Sequence, residues 1–366
     1  MTAVPFKRHA AADSAGRQSF SLDKIPACGA ISPAGGEMEE NRMLVPVLLF
    51  LLGFVMLIKG GDWFVDGAVG LAHRFHLPEL LIGATVVSIG TTLPEVMVSA
   101  QAALEGNAGI SYGNAIGSII CNTSLIAALT VAIRPGTVKK NSLILPAVSF
   151  FAAAVIYSGF AYATGRFERW NGILFLVFFA AYMIATVLQM KRNPEQDEAE
   201  DAEEESGKPK ELWQEIGLLV LGAAVIAVGA RLLVDNGTLI AQALGVPDSV
   251  IGLTMVALGT SLPELITAIT SLIKGHSALS LGNIIGANLF NIVLVSGAAI
   301  TISPFAVPAE KMIGGLNASF VIDIPLMLIV MALLCVPALV KGKLYRWQGV
   351  TLLCIYVAFT AFQFLF

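Results

Sequence analysis

The sequence predicts an all-α membrane protein with ten transmembrane helices, arranged as two inverted repeats of five helices each. Three observations lead to this fold class: a very apolar composition, ten apolar stretches of membrane-spanning length, and an internal repeat. Of 366 residues, 56% are hydrophobic and 13% are charged, whereas about a quarter of the residues in a soluble domain are charged. A bilayer accepts such a surface from helices that satisfy their own backbone, so the composition disfavours the soluble enzyme classes.

Ten apolar stretches, each of about 20 residues or more, alternate with short polar or Gly/Pro-containing breaks. They cover residues 44–72, 79–104, 109–133, 142–164, 171–190, 213–243, 249–273, 278–302, 318–340 and 347–366. The first stretch contains Lys59, Asp62 and Asp66, and the sixth contains Arg231 and Asp235. We expect Lys59 and Asp62 to form an ion pair, and the other two acids to pack helices or line a gate.

The remaining segments divide the chain into four parts. Residues 1–42 are polar and lack the apolar core of a signal peptide, so we interpret them as a disordered tail or the product of a mis-assigned start codon. The two repeats occupy residues 43–190 and 213–366. Residues 191–212 form an acidic linker, interpreted as a solvated spacer. The four cysteines follow no metal or redox spacing, and 22 basic against 26 acidic residues give no indication of nucleic-acid binding.

Basic residues in the connections predict the orientation of the spans. The connections after the odd-numbered spans, including the linker, contain twelve Lys and Arg residues, whereas those on the other side contain three. We therefore expect the linker to be cytoplasmic and both termini to lie outside. The basic residues of the tail argue for the opposite orientation, but they represent one segment against five connections.

An internal repeat emerges when the sequence is shifted by 169 residues. Residues 78–122 then align with residues 247–291, with 17 of 45 positions identical. The identical residues are mostly Gly, Pro, Thr, Asn and Glu, and not the Leu and Val that chance would match between apolar helices. Because each copy holds five spans, the second copy inserts upside down relative to the first. Inverted repeats with broken helices are typical of secondary transporters whose site lies at the membrane midplane.

The strongest motif reads GTTLPE at residues 90–95 and GTSLPE at residues 259–264. In the first copy, Pro94 lacks an N–H and therefore leaves the carbonyl of Gly90 without its helical partner. Thr91 and Glu95 are four residues apart, so a hydroxyl and a carboxylate share one helix face beside that carbonyl. The second copy repeats this pattern with Gly259, Thr260, Pro263 and Glu264.

Polar residues recur every four positions in the spans that follow the motif. The first copy has Asn114, Ser118 and Asn122, and the second copy has Asn283, Ala287 and Asn291. The flanking glycines of GNAIG and GNIIG form small-xxx-small surfaces, which allow two helix backbones to approach closely.

A cation explains two carboxylates in the middle of a membrane. One ionised carboxylate there costs about 2.5–3.5 kcal/mol on the insertion scale, and two would also repel each other. Ca²⁺ takes six to eight oxygen ligands from carboxylates, carbonyls and amides, which is the set of groups in these motifs. The alternative is that Glu95 and Glu264 are neutral and hydrogen-bonded to Asn122 and Asn291, with a purely structural role.

The paired motifs GTTLPE and GTSLPE, followed by GNAIGSIICN and GNIIGANLFN, resemble the two alpha repeats of the cation/calcium exchanger superfamily, most closely its prokaryotic sodium/calcium exchanger-like branch. The resemblance implies a prokaryotic plasma (inner) membrane protein in which the first and sixth helices slide against the other eight. It also implies a Ca²⁺ site formed by Thr91, Glu95, Thr260 and Glu264. The sodium-binding shell that it implies comprises Ser88, Thr92, Ser118, Asn122, Ser261 and Asn291.

Two positions depart from that family's pattern. Ala287 stands where the family often has Ser, so one presumed sodium ligand is missing. Asn291 stands where some members have Asp, a residue associated with potassium co-transport, so the resemblance makes potassium dependence less expected.

The sequence therefore predicts a secondary active antiporter that exchanges Ca²⁺ for Na⁺ by alternating access. Ca²⁺/H⁺ exchange, in which the same glutamates titrate, is the alternative within transport. An ion channel would require a continuous pore with weak sites, and an intramembrane enzyme would require catalytic residues that we do not find beside the glutamates. We expect no cofactor, with Ca²⁺ and Na⁺ or H⁺ as the transported ions and the lipid bilayer as the surroundings. The sequence does not indicate the oligomeric state.

Overall fold

A computed structural model describes residues 36–192, 211–244, 257–309 and 312–365 of the chain. Most of the predicted tail, most of the acidic linker and the first part of the seventh span lie outside these residues. The described part is almost entirely helical, as the composition predicts.

Within the described ranges, ten helices follow one another, and a single helical turn at Ala257–Thr260 precedes the seventh. The ten helices are α1 (Gly36–Arg74), α2 (Glu79–Leu104), α3 (Ala108–Ile133), α4 (Lys140–Thr164), α5 (Arg169–Arg192), α6 (Leu212–Ala243), α7 (Leu262–Ile273), α8 (Ser277–Ile302), α9 (Ser319–Lys341) and α10 (Arg346–Leu365). Two short antiparallel pairs join them, β1 (Arg166–Phe167) with β2 (Phe305–Ala306), and β3 (Met312–Ile313) with β4 (Leu316–Asn317).

The predicted spans agree with these helices to within a few residues wherever both ends are described, except that α1 begins at Gly36 instead of near residue 44. Among the described residues, eight helices are long and apolar enough to cross a membrane. The described part of α7 has 12 residues, and α10 is not among the eight. The count of ten spans, and the inverted relation of the repeats, therefore stay predictions.

Hydrogen bonds between helix ends define two faces of the bundle. At one face, which we call the linker face, Arg134 Nη1 donates to Leu272 O at 3.2 Å, and Arg346 Nη2 donates to Ile133 O at 3.4 Å. His276 Nδ1 lies 2.7 Å from Glu79 Oε1 at the same face.

The opposite face of the bundle is marked by other contacts. There, β1 pairs with β2, and Arg169 Nη2 donates to Ile302 O at 3.3 Å. Connections after odd-numbered helices thus gather at the linker face, as the loop analysis requires.

Helices α1 and α6 pack against each other through glycines. A Cβ added at Gly53 would lie 2.8 Å from Gly229 O, and one added at Gly222 would lie 2.5 Å from Phe64 N. A Cβ at Gly67 would likewise lie 2.5 Å from Leu219 N. Because the glycines of α1 recur every seven residues along one face, the two backbones stay in contact over several turns. The pair thus forms a closely packed unit.

Helices α2 and α8 approach each other just as closely, and this contact brings the two copies of the repeat together. A Cβ at Gly282 would lie 2.1 Å from Leu80 O, and one at Gly286 would lie 2.3 Å from Ser88 Oγ. The small-xxx-small prediction is therefore confirmed for GNIIG. For GNAIG, nothing in the described ranges approaches the corresponding position of Gly113 or Gly117.

The predicted ion pair between Lys59 and Asp62 is wrong. Asp62 lies 3.6 Å from Lys274 Nζ, and Asp66 lies 2.5 Å from the same nitrogen. Lys59 is exposed and forms no ion pair within the described residues. Lys274 lies just after α7, and its side chain reaches α1. It therefore pairs with Asp62, which the spacing along α1 had suggested as the partner of Lys59. The contact agrees with the packing or gate-lining role expected for Asp66.

The contact at Gly282 leads to a prediction about stability. Gly282→Ala should lower the free energy of unfolding by about 1–3 kcal/mol, because the new methyl group overlaps a backbone carbonyl and the backbones must separate. The measurement is thermal unfolding of the purified protein in detergent. Gly159→Ala is the matched control, since Gly159 lies within α4 with no described atom within 4 Å of the added carbon. Equal midpoints for the two variants would contradict the close α2–α8 contact.

Candidate cation-binding site

Two glutamates lie at the centre of the site. Glu95 on α2 and Glu264 on α7 are both fully buried, and each side chain has both carboxylate oxygens without a hydrogen-bond partner in the described part of the chain. Neither forms an ion pair with a described basic residue. The two helices that carry them contact each other. A buried charge without a partner is strongly unfavourable, so the pair requires a cation or protons.

The first copy of the repeat contributes hydroxyl and amide oxygens beside Glu95. Ser88, Thr91 and Thr92 are buried on α2, and Ser118 and Asn122 are buried on α3. Thr92 Oγ1 and both polar atoms of the Asn122 side chain have no partner among the described residues. All five predicted side chains of this copy therefore lie inside the bundle, and several offer free oxygen atoms.

The second copy contributes a similar set beside Glu264. Ser261 and Asn291 are buried, Thr260 is half-buried, and Ser261 Oγ and the Asn291 amide have no described partner. The Glu264 carboxylate lies beside Thr91 and Thr92 of the first copy. Glu264 of the second copy and the two threonines of the first copy are therefore neighbours.

Two asparagines outside the predicted site join its threonines across the copies. Thr91 Oγ1 donates to Asn283 Oδ1 at 3.2 Å, and Thr260 Oγ1 donates to Asn114 Oδ1 at 3.4 Å. The two hydrogen bonds are equivalent under the shift of 169 residues. The four-residue spacing had marked both asparagines as part of a polar row, but it gave no sign that each faces the motif of the other copy.

Each of the two asparagines also holds a further group of α2. Ser88 Oγ donates to Asn283 O at 2.9 Å, and Asn114 Nδ2 donates to Glu95 O at 3.1 Å and to Ser99 Oγ at 2.8 Å. Through these hydrogen bonds, α3 and α8 fix the helix that carries Glu95. Asn114 and Asn283 thus tie Thr91, Glu95 and Thr260 to the neighbouring helices.

Wide helical turns begin at equivalent places in the two copies. The backbone forms a π-helical turn over Asn122–Ala127 and another over Asn291–Ser296. Such turns are rare and occur frequently at functional sites. Both begin at an asparagine predicted to bind sodium, and no sequence pattern predicted these turns.

The prolines of the two motifs act differently. Pro94 lies inside a helix that continues from Ser88 to Leu104, so the predicted break is absent from the first copy. In the second copy, Ser261 has φ −90° and ψ 5° and interrupts the helix before Leu262. A single proline removes one backbone hydrogen bond, and α2 remains helical despite that loss. In both copies the proline cannot donate to the carbonyl four residues earlier.

The purely structural interpretation of the glutamates requires hydrogen bonds to Asn122 and Asn291. In the described residues, neither the carboxylates nor these amides form any such bond. Ala287 is fully buried on α8, at the position equivalent to Ser118, so the hydroxyl row is incomplete in the second copy as predicted.

Comparison with known proteins places this arrangement among membrane exchangers. The sequence profile of the family described as "Sodium/calcium exchanger protein" matches residues 45–188 and 215–365. The chain is similar to the sodium/calcium exchanger MaX1 of Methanosarcina acetivorans, with 31% identity over 87% of this chain and 99% of that protein. It is also similar to the inner membrane protein YrbG of Escherichia coli, with 38% identity over 72% of this chain and 81% of YrbG.

Among solved structures, the sodium-calcium exchanger NCX_Mj soaked with Na⁺ and Sr²⁺ matches with a TM-score of 0.73 and 33% identity. The match covers 87% of this chain and 99% of that chain.

Proposed function

The chain belongs to the sodium/calcium exchanger protein family, and on this premise we propose that it is a secondary active antiporter that exchanges Ca²⁺ for Na⁺. The observation that carries the proposal is the pair of buried carboxylates, Glu95 and Glu264, which two copies of one motif contribute. The apolar helices and the similarity to the inner membrane protein YrbG support a position in a prokaryotic inner membrane.

In the proposed mechanism, Thr91, Glu95, Thr260 and Glu264 bind Ca²⁺. Two carboxylates balance the charge of one divalent cation, and their oxygens count toward the six to eight that Ca²⁺ requires. The carbonyls of residues 90 and 259, which face prolines instead of N–H donors, supply further oxygens. The absence of hydrogen bonds to the carboxylate oxygens within the described residues supports this role, because those oxygens are available to a cation.

Sodium ions occupy the same region in this proposal. Their ligands are the two glutamates together with Ser88, Thr92, Ser118, Asn122, Ser261 and Asn291. Because Na⁺ and Ca²⁺ use the same carboxylates, binding one ion displaces the other. A site that holds either ion, but not both, gives exchange when it opens to the two sides of the membrane in turn.

Alternating access requires two arrangements of the bundle. We propose that α1 and α6 move as one unit against the other helices, which the glycine contacts between them support. The proposal includes ten spans in two inverted repeats, with the linker in the cytoplasm and both termini outside.

Neutralising either glutamate should abolish transport. Glu95→Gln and Glu264→Gln each remove one of two charges that hold the cation while preserving side-chain shape, so Ca²⁺ flux into proteoliposomes should fall to the level of empty vesicles. Glu168→Gln is the control, since Glu168 is exposed and pairs with Arg166 outside the site. Flux near the level of the unmodified protein in either site variant would refute the proposed site.

The coupling ion is tested by imposing one gradient at a time on proteoliposomes that contain the purified protein. Vesicles loaded with Na⁺ and diluted into Na⁺-free medium at fixed pH should accumulate Ca²⁺. A pH gradient without Na⁺ should not drive uptake. Buried carboxylates can also be neutralised by protons, so the opposite outcome, uptake from the pH gradient alone, would establish Ca²⁺/H⁺ exchange with the same glutamates.

Two matched substitutions refine this test. Ala287→Ser adds a hydroxyl to the sodium shell, and Ser118→Ala removes the equivalent one. The first should strengthen and the second weaken apparent Na⁺ affinity by about two- to tenfold, the effect of one polar contact. Unchanged Na⁺ affinity in both variants would exclude these positions from the shell.

A further inference from the structure

A cluster of charges at the linker face joins α1 to the end of α7. Lys274 Nζ lies 2.5 Å from Asp66 Oδ1 and 3.6 Å from Asp62 Oδ1, and it donates to the backbone oxygen of Asp62 at 3.1 Å. The three side chains are partly exposed. The site described above uses none of these groups.

The shift of 169 residues relates this cluster to a second set of charges. It aligns Asp62 with Arg231 and Lys274 with Glu105. For these two positions both signs are reversed: an acid on α1 faces a base after α7, and a base on α6 corresponds to an acid after α2. Asp66 aligns with another acid, Asp235, so the reversal does not extend to that position. The reversal preserves attraction, so an ion pair between Arg231 and Glu105 would be the equivalent of the Asp62–Lys274 pair.

The second pair is not formed in this structure. In the part of the chain that the structure describes, Arg231 and Glu105 form no ion pair, and both are exposed. Glu105 accepts a hydrogen bond from Gln101 Nε2 at 2.6 Å. The Asp62–Lys274 pair is therefore formed in this structure, whereas the equivalent Arg231–Glu105 pair is not.

The helix surfaces beside the two pairs show the same difference. On α7, Leu262 is 8% exposed, and a Cβ added at Gly61 of α1 would lie 2.7 Å from Ile266 Cγ2 and 2.8 Å from Thr270 Oγ1. The equivalent residues of α2 are uncovered: Leu93 is 50% exposed, Met97 is 72% exposed and Gln101 is exposed. Helix α1 thus covers a row of residues on α7, which we call the α7 stripe (Leu262, Ile266 and Thr270). Helix α6 leaves the equivalent row on α2, the α2 stripe (Leu93, Met97 and Gln101), uncovered.

We propose that Lys274 with Asp62 and Asp66 forms a latch at the linker face, that Glu105 with Arg231 forms a second latch at the opposite face, and that the transport cycle exchanges one for the other. This inference rests on the proposed antiport by alternating access. When α1 and α6 shift together, α1 leaves the α7 stripe and α6 covers the α2 stripe. Each latch then stabilises one of the two states.

Thiol labelling tests the latches without measuring transport. In a cysteine-free variant purified in detergent, Gln101→Cys reports exposure of the α2 stripe, and Thr270→Cys reports exposure of the α7 stripe. A hydrophilic maleimide should label Gln101→Cys faster. Adding Lys274→Gln should slow labelling at residue 101 and speed it at residue 270, and adding Arg231→Gln should have the opposite effect. The expected change is about two- to fivefold, typical of a partly exposed ion pair.

Two further variants make the outcome decisive. Lys59→Gln, on the same helix as Asp62 but without a described ion pair, should leave both labelling rates unchanged. Exchanging the charges of the open pair, as Glu105→Arg with Arg231→Glu, should restore the rates that either single reversal alters. If neither Lys274→Gln nor Arg231→Gln changes the labelling ratio, or if the exchanged pair fails to restore it, the latch proposal is refuted.

Gradient-driven Ca²⁺ flux, measured with the same variants reconstituted into proteoliposomes, distinguishes failure of the latches from failure of the proposed function. Flux with unchanged labelling would refute the latches and leave antiport standing. Loss of flux in the cysteine-free parent, with labelling that still responds to both latch variants, would refute antiport and retain the two-state arrangement.

Discussion

The structure depends on two carboxylates that lie in an apolar bundle without a described basic partner. Burying Glu95 and Glu264 in their charged form is unfavourable unless a positive charge joins them. The close glycine contacts between α2 and α8 hold the two copies together around this charge, and Asn114 and Asn283 tie the motif of each copy to the polar row of the other. The fold therefore keeps the negative charges in place instead of allowing helices to rotate them toward solvent.

In the proposed transport cycle, the contacts of the helices that carry the candidate site differ from those of the pair that moves. The helices that carry the site are joined by hydrogen bonds and by backbone contacts at Gly282 and Gly286. Helices α1 and α6 contact each other through their own glycines. Helix α1 contacts the other helices through buried apolar side chains such as Phe64 and through the ion pairs of Lys274. Each partly exposed ion pair contributes little to the free energy of folding, so such pairs can break and form again during the proposed cycle. The buried backbone contacts between α2 and α8 are suited to helices that stay together.

Much of this architecture could be predicted from the sequence, because a membrane restricts the choices. Apolar length predicted the helices, and the repeat predicted that Glu95 and Glu264 would be buried inside the bundle, since carboxylates are rare in membrane spans. The sequence could not predict contacts between elements distant along the chain. Asp62 pairs with Lys274 across helices and not with Lys59 along α1, and the π-helical turns at Asn122 and Asn291 arise from packing that no local pattern encodes.

The central claim is that one pair of carboxylates binds Ca²⁺ and Na⁺ in competition. Equilibrium binding of radioactive Ca²⁺ to the purified protein in detergent, measured at increasing Na⁺ concentrations, tests it most directly. We expect one high-affinity Ca²⁺ ion per chain, an apparent affinity that falls steadily as Na⁺ rises, and full displacement at saturating Na⁺. A Ca²⁺ affinity independent of Na⁺, or undiminished binding when both Glu95 and Glu264 are replaced by Gln, would contradict the account.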